Sequence, residues 1–165
     1  MRTIPDPGFG GDDGAAAPEL RAALTAYDAE PDTLHDPTLE VLQRHRVLVP
    51  VVAVLGEVEH DADGLAHDKT SDMATVLMQG RDGRNALLAF TGTDSLTRWD
   101  PAARPVPVSV ATAAAAAVQD RAAAILVDVA GPVPFVIETD DLHELAAGHS
   151  LVEVSGRYGW VTRGR

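Results

Sequence analysis

One segment decides the fold: Asp72-Met-Ala-Thr-Val-Leu-Met78, then Gly80-Arg-Asp-Gly83, then Ala86-Leu-Leu-Ala-Phe90. The first and last parts are apolar runs of strand length, and a short polar stretch separates them. The two glycines in that stretch readily adopt the positive φ angles that a tight antiparallel connection requires. The segment therefore predicts a β-hairpin with strands at 73–79 and 85–90.

Downstream of the hairpin, the sequence alternates between strand and helix patterns. The stretch Val106-Pro-Val108 precedes an alanine-rich helix predicted at 110–122, with Ser109 as its cap, and an apolar run at 124–129 follows. A strand, a helix and a second strand in this order form a crossover, which is right-handed in nearly all known cases and makes its two strands parallel. Residues 106–129 therefore predict a βαβ unit.

Three more elements are predicted from caps and terminators. Thr93 is the predicted cap of a short helix that ends at Trp99, because Asp100 precedes a proline. A strand covers residues 134–138, and Thr139 is the predicted cap of a last helix that Gly148 ends. Residues 151–165 are expected to add a strand pair around residues 156–159.

Upstream of the hairpin, the pattern predicts two helices and a strand. After Pro18, the residues Leu20, Leu24 and Tyr27 fall on one face of a helix that runs to about residue 29. The pair Asp36-Pro37 predicts the start of a second short helix, which ends near His45. Residues 47–55 are apolar on both faces and predict a strand that is covered on both sides, with Pro50 placing part of it at an edge or a bulge.

Together these elements predict an α+β fold: a mixed, largely antiparallel sheet with one βαβ crossover and helices packed on it. The chain length of 165 residues is typical of one domain. We expect a flexible N-terminal arm at 1–17, because this part is rich in proline, glycine and acidic residues, a single domain at 18–155, and a C-terminal tail at 156–165.

Charge and composition limit the function classes. The formal net charge is -12, which repels phosphate backbones and anionic lipid headgroups, so neither nucleic acid nor membrane is an expected partner. A nucleic-acid role would require Arg81, Arg84, Arg98 and Arg104 to cluster. Cysteine is absent, which excludes disulfides, thiolate metal sites and cysteine nucleophiles. No secretory signal or membrane-spanning run is recognised, so the expected location is cytoplasmic.

The catalytic and metal-binding patterns that the sequence offers are incomplete. The acidic loop at 57–72, read as a calcium loop, begins with Glu59 and ends with Thr70 in place of the bidentate glutamate. His143-Glu144 lacks the second histidine of a zinc protease motif, since position 147 is alanine. No catalytic residue, metal ligand or cofactor is therefore predicted, and a non-catalytic role is expected.

The sequence resembles a known family in several distinctive pieces. These are Ser71-Asp72-Met73-Ala74, Phe90-Thr91, Leu96 to Trp99, and Asp128 ahead of Gly131-Pro132. They are similar to the N-terminal domain of the SseB (enhanced serine sensitivity) family, bacterial proteins that are named for a phenotype and lack an established activity. The match covers about residues 36–147. The N-terminal residues 4–8 and the bias toward Arg and Ala resemble relatives from actinobacteria.

The polar residues at the two ends of the hairpin are the candidate site. Lys69, Ser71 and Asp72 enter one strand while Thr91, Asp94 and Trp99 follow the other, so a short turn is expected to place both sets near the same end of the sheet. We interpret these six as candidate contacts for a protein partner or a second copy of the chain. Two alternatives remain open: capping and core roles for the same side chains, and a small-ligand or divalent-metal sensor or enzyme that uses the 57–72 loop and Asp94.

Overall fold

The computed structural model describes residues 9–54, 59–60, 66–67 and 72–162, and five helices and eleven strands lie in these ranges. In chain order they are α1 (Pro18–Ala29), α2 (Pro31–Leu42), β1 (Arg46–Val54), β2 (Glu59–His60), β3 (Ala66–His67), β4 (Asp72–Thr75), β5 (Leu77–Gln79), β6 (Asn85–Ala89), α3 (Thr93–Trp99), β7 (Arg104–Ser109), α4 (Val110–Gln119), β8 (Ala124–Val127), β9 (Phe135–Ile137), α5 (Thr139–Ala146), β10 (His149–Val154) and β11 (Arg157–Thr162).

The predicted hairpin is confirmed for its inner part. β5 pairs antiparallel with β6, and the turn between them closes through a 2.8 Å hydrogen bond from the Gly80 N–H to the Arg84 carbonyl. Gly83 has a φ of 83°, the left-handed conformation expected of a glycine in this turn. The outer part of the first strand behaves differently, because β4 leaves β6 and pairs antiparallel with β1.

β1 connects the hairpin to the rest of the sheet. Leu48 and Phe90 exchange two backbone hydrogen bonds of 2.7 and 2.8 Å, which join β1 to the end of β6. Beyond this bridge β1 and β6 diverge, and β4 and β5 fill the space between them with Val76 at the bend. β7 pairs with the other edge of β1, and β8 and β9 continue the sheet beyond β6.

The sheet is mixed, as predicted, but the crossover does not have the predicted strands. β8 lies parallel beside β6. The other strand pairings that the structure describes are antiparallel. β7 is not a neighbour of β8, because it pairs antiparallel with β1 over six residues. Pro105 and Pro107 suit this edge position, since a proline cannot donate to a sheet ladder. The crossover therefore runs from β6 through α3, β7 and α4 to β8.

Alternate residues of the central strands face two unequal cores. In β6, Leu87 and Ala89 belong to the larger core, which the helices α1, α2, α4 and α5 cover. Leu88 and Phe90 point to the other face, where they pack with Leu48, Leu96 and partly buried neighbours. The alanine-rich α4 lies close to the sheet on the larger side, and its small buried residues are Ala113, Ala114 and Ala117.

The predicted cap of α4 and the predicted end of α5 are confirmed, whereas the predicted starts of α2, α3 and α5 are wrong. Ser109 caps α4 through a 3.1 Å bond from the Thr112 N–H, and Gly148 follows α5 with a φ of 84°. α2 begins at Pro31, five residues before Asp36, and contains Pro37. A proline at the first helical position has a suitable φ, and the packing of buried α2 residues against the core offsets the cost of the internal proline.

The predicted caps Thr93 and Thr139 are each the first residue of their helix, and the preceding residue is the cap. Both threonines have other hydrogen-bond partners. Thr93 bonds to the Gly14 carbonyl, through its N–H at 2.8 Å and its hydroxyl at 3.3 Å, and the Thr139 hydroxyl donates to the Ala123 carbonyl at 2.6 Å. Tertiary contacts therefore replace the local capping role that the sequence pattern suggests.

Both ends of the described chain contact the domain. Residues 9–17 belong to the expected N-terminal arm, and they contact the domain because Asp12 pairs with Arg46 and Ala16 is buried. The predicted strand pair near the C-terminus is present as β10 and β11. The Gln43 side chain fixes this hairpin with two bonds to the Leu151 backbone, of 2.6 and 2.8 Å. The division of the chain into arm, domain and tail is otherwise still a prediction.

Candidate functional site

A cleft opens where the two parallel strands β6 and β8 end, and we call it the β6–β8 cleft. Thr91 follows β6 and Asp128 follows β8, and the carboxyl ends of neighbouring parallel strands lie at the same edge of a sheet. The Thr91 N–H donates to Asp128 Oδ1 at 2.9 Å, and the Thr91 hydroxyl donates to Oδ2 at 2.7 Å. This edge is the usual place for ligands in sheets with parallel strands.

Asp128 forms the floor of the cleft and is 1% exposed. Burial raises the pKa of its carboxyl group, and the hydrogen bonds from Thr91 and Ser95 act in the opposite direction. Its φ of 54° is left-handed, a conformation that Asp and Asn tolerate better than most residues. Both carboxylate oxygens accept hydrogen bonds from Thr91, so we interpret Asp128 as the residue that links the ends of the two strands.

The N-terminal segment closes one side of the cleft. A Cβ on Gly92 would lie 2.8 Å from the Ala16 nitrogen, so only glycine allows this segment to approach the start of α3 so closely. Arg46 fixes the same segment: its Nε and Asp12 Oδ2 are 2.6 Å apart, and it donates to the carbonyls of Ala15 and Thr91. That ion pair lowers the pKa of Asp12.

The mouth of the cleft carries opposite charges. The volume of the whole cleft is about 210 Å³, and Leu24 and Val133 contribute apolar surface to it. Arg21 and Asp94 lie 3.6 Å apart at the rim with side chains that are 56% and 83% exposed. Arg98 lies near Gly131, and its Nη1 is 3.8 Å from the place that a Cβ on that glycine would occupy. The lining residues are Ala16, Arg21, Leu24, Thr25, Thr91, Gly92, Asp94, Ser95, Arg98, Asp128, Pro132 and Val133.

Comparison with models of known protein families gives a match over most of the chain. A family model described as the SseB protein N-terminal domain matches residues 20–144. The chain belongs to the SseB family. No curated protein and no solved structure matches the chain. In the described part of this SseB domain, none of the helices has the length and apolar character needed to cross a membrane.

The structure brings together only some of the predicted site residues of the SseB domain. Thr91 and Asp94 both line the β6–β8 cleft. Trp99 lies at the end of α3 and packs against Phe90, with ring centroids 5.6 Å apart, in the smaller core. Lys69 and Ser71 lie outside the described residues, so the structure gives no position for them.

The expected meeting of the two polar sets is wrong for Asp72 and Thr91. Asp72 pairs with Val54 at the end of β1, whereas the residue before Thr91 pairs with Leu48. Six residues of β1 separate these two positions, which corresponds to about 20 Å along a strand. The reason is the bend at Val76, which moves the outer part of the hairpin from β6 to β1.

Asp128, Arg21 and Arg98 are site residues that the sequence patterns do not predict. In the sequence, Asp128 is noted only as part of the family resemblance and not as a site residue. A polar residue directly after a buried strand is nevertheless a usable signal of a site at the end of that strand. Arg21 lies on α1, more than 100 residues before Asp128, and no local pattern connects them. Their proximity depends on how α1 packs against the sheet.

Two further sites considered from the sequence of the SseB domain are a metal site in the 57–72 loop and a cluster of arginines. Most of the 57–72 loop lies outside the described residues, so a metal site there is still a prediction. Among the residues that the structure describes, the one group of acidic and histidine side chains with converging ligand atoms is His35, Asp36 and Asp141. The arginines Arg81 and Arg84 follow β5 at the start of β6, at the opposite end of that strand from Arg98.

Proposed function

We propose that this SseB domain is a cytoplasmic, non-catalytic module that binds a protein partner in the β6–β8 cleft. In this proposal the cleft receives one or two partner side chains, and a partner carboxylate lies between Arg21 and Arg98. The observation that carries the proposal is the cleft itself, which has two exposed arginines at its mouth and a floor that is already fixed by hydrogen bonds.

The hydrogen-bonding of the cleft supports binding without catalysis. Asp128 is 1% exposed and each of its oxygens accepts a hydrogen bond from Thr91, so a substrate has little access to this carboxylate as a general base. The Thr91 hydroxyl donates to the Asp128 carboxylate and the Ser95 hydroxyl to the Gly92 carbonyl, and both residues are buried, so neither hydroxyl is open to a substrate as a nucleophile. Asp94 is largely exposed to solvent, which leaves its carboxylate without the low-dielectric surroundings typical of a catalytic acid.

The size and charge of the cleft indicate the kind of occupant. A volume of about 210 Å³ is below the roughly 300–1,000 Å³ of drug-sized ligand sites, so one or two side chains fit better than a large cofactor. The exposed Arg21–Asp94 pair is of a kind that contributes little stability, so Arg21 can exchange Asp94 for a partner carboxylate. The net charge of -12 disfavours a strongly acidic partner, so we expect a single carboxylate within a neutral or basic protein.

The test begins with the identification of the partner. A photo-crosslinking amino acid at Thr25, an exposed residue that lines the cleft, captures the bound protein in cells for identification by mass spectrometry. Binding of the purified partner is then measured for Arg21→Ala, Arg98→Ala and the control Arg81→Ala. Loss of a charge-assisted hydrogen bond predicts an affinity about tenfold lower for each cleft variant and an unchanged affinity for the control.

The same assay tests the other proposed contacts. Lys69→Ala, Ser71→Ala, Asp72→Ala and Trp99→Ala each reduce the affinity if the partner surface extends from the cleft along the sheet. A partner that binds the two cleft variants as tightly as the unchanged domain contradicts the proposal. Capture of a second copy of the chain, with a matching dimer in sedimentation, assigns the cleft to self-association instead.

A small carboxylate-bearing molecule is the second candidate occupant, because the cleft is small and concave. A ligand that binds only the folded state raises the melting temperature. A thermal-shift screen of small carboxylates against the unchanged domain and Arg98→Ala therefore separates this candidate from a protein partner. Unchanged melting temperatures across the screen exclude it.

A further inference from the structure

A second polar cluster lies where α2 packs near α5, away from the β6–β8 cleft. His35 and Asp36 are on α2, and Asp141 is in the first turn of α5. Each offers one ligand atom, and these atoms all lie within 4.8 Å of one another. We call these three residues the α2–α5 cluster. Asp141 lies more than 100 positions after His35 and Asp36, so its convergence with them is a product of the fold.

The ring of His35 is held in one orientation. Its Nε2 lies 2.9 Å from the carbonyl oxygen of Val136, which can only accept, so Nε2 is the protonated nitrogen. The ring stacks on Phe135 with centroids 4.7 Å apart, and the edge of Tyr27 lies against it. These contacts leave Nδ1 on the side of Asp36, at 3.7 Å from its Oδ1.

This arrangement of His35 is the one that metal-binding histidines usually have. Such a histidine donates one ring N–H to a carbonyl or carboxylate, and the other nitrogen is thereby fixed as the ligand. Here the Val136 carbonyl has that supporting role and Nδ1 has the ligand position. Asp36 Oδ1 lies 3.7 Å from Nδ1, and Asp141 offers a ligand atom within 4.8 Å of those of His35 and Asp36.

The charged groups around the cluster are mainly acidic. Asp36 and Asp140 are the carboxylates closest to Asp141, whose own carboxyl group also accepts a hydrogen bond from Trp160. Burial and three carboxylates, those of Glu153, Glu40 and Asp36, raise the pKa of Tyr158 nearby. Within the described ranges, Asp36 and Asp141 form no ion pair with a lysine or arginine.

We propose that the α2–α5 cluster binds one divalent transition-metal ion of the Zn²⁺ class through His35 Nδ1 and the carboxylates of Asp36 and Asp141. One imidazole and two carboxylates form a donor set suited to zinc, whereas Ca²⁺ and Mg²⁺ prefer oxygen ligands alone. Tetrahedral ligands of zinc lie about 3.4 Å apart, so the three donors move inward by about 1 Å on binding. Water completes the coordination, and the ion links α2 to α5.

The test uses the full chain and ZnSO4 in isothermal titration calorimetry, with the imidazole NMR signals of His35 as a second measurement. The variants are Asp36→Asn and Asp141→Asn, which keep the shape of the side chain and remove its charge. Asp140→Asn is the matched control, because it removes the same charge from the residue adjacent to Asp141. We expect one zinc site that perturbs the His35 imidazole, an affinity at least about tenfold lower in each cluster variant, and a change of less than about twofold in the control.

Three outcomes overturn this proposal. They are the absence of zinc binding at millimolar concentration, binding that leaves the His35 signals unchanged, and equal losses in Asp140→Asn and Asp141→Asn. The last outcome indicates a general charge effect instead of ligation. Because the cluster and the cleft share no residue, failure here leaves the partner-binding proposal intact, and the crosslinking experiment at Thr25 has no bearing on zinc.

Discussion

The β6–β8 cleft and the α2–α5 cluster use similar residues in opposite ways. In the cleft, the carboxylate of Asp128 is buried and both of its oxygens accept hydrogen bonds from Thr91. In the cluster, Asp36 and Asp141 each offer a ligand atom close to His35, whose Nε2 is held by a backbone carbonyl. The first carboxylate is inaccessible to solvent, whereas Asp36 is exposed and Asp141 is half-buried, so a cation can reach both.

The difference shows how a polar group that stabilises the fold can be told from one available for a ligand. A buried carboxylate with satisfied oxygens stabilises the native state, and its removal leaves unpaired donors. A carboxylate in a partly exposed cluster of like charges adds little to stability but can bind a cation. Substitution of Asp128 should therefore reduce stability with little effect on metal binding, and substitution of Asp36 or Asp141 should reduce metal binding with little effect on stability.

The largest expected effect is that of Asp128→Ala. The substitution leaves the buried N–H and hydroxyl of Thr91 without their acceptor and places alanine at a left-handed φ, so we expect the free energy of unfolding to fall by about 2–4 kcal/mol. Urea unfolding followed by circular dichroism measures it, with the exposed Asp28→Ala as control. A decrease in the free energy of unfolding of less than about 1 kcal/mol contradicts the interpretation that Asp128 links the two strand ends.

Arg46→Met tests the contact between the N-terminal segment and the cleft. The Arg46 side chain is 10% exposed and donates to Asp12, Ala15 and Thr91. Loss of these charge-assisted bonds is expected to lower the free energy of unfolding by about 1.5–3 kcal/mol and to expose residues 9–17 to protease. Limited proteolysis and urea unfolding are compared with Arg157→Met, an exposed control. Equal cleavage of both variants would falsify the proposed anchoring.

A smaller effect is expected in the pH dependence of stability. Burial raises the pKa of Asp128 in the folded state, so the folded protein holds this proton more tightly than the unfolded chain. The corresponding stability is fully present below the unfolded pKa of about 4 and is lost as the pH rises through the raised folded pKa.

The isosteric variant Asp128→Asn isolates this titration. Relative to the variant, the unchanged domain should lose stability as the pH increases above about 4, and the difference should become constant above the folded pKa. Urea unfolding from pH 4 to pH 8 measures it, and the remaining carboxylates titrate similarly in both proteins. A difference that does not vary with pH, or that varies in the opposite direction, contradicts the assigned direction.

The smallest effect is expected in the α2–α5 cluster without metal. Asp141→Asn removes a like charge beside Asp36 and Asp140, so in a chelator-containing buffer the free energy of unfolding should change by no more than about 0.5 kcal/mol. Zinc should then raise the melting temperature of the unchanged domain and not that of the variant. A loss of several kcal/mol without metal would mean that Asp141 is structural, like Asp128.

Much of the local structure was predictable because local physics determines it. The stripe of Leu20 and Leu24 places α1 correctly, and the glycines at 80 and 83 place the β5–β6 turn. Ser109 caps α4 as expected. Where tertiary contacts compete with a local pattern, the prediction fails: Thr93 and Thr139 bond to distant carbonyls instead of capping.

The candidate site was predictable only in part. Thr91 and Asp94 were predicted because they follow a recognisable strand, and the structure places both at the cleft. Asp72 was grouped with them on the assumption that the hairpin strands pair along their whole length, and the bend at Val76 separates them. The partner of Asp128 could not be predicted, because the choice of β6 as the parallel neighbour of β8 depends on pairing between distant segments.

The sequence alone determined where strands, turns and most helices lie, the family, and the absence of cysteine chemistry, because periodicity, glycine and residue identity act over a few positions. The tertiary structure decided which strands are neighbours, and so which polar side chains meet. Asp128 meets Thr91 across 37 positions of sequence, and His35 meets Asp141 across 106. Such contacts depend on the packing of the whole core, which no short stretch of sequence specifies.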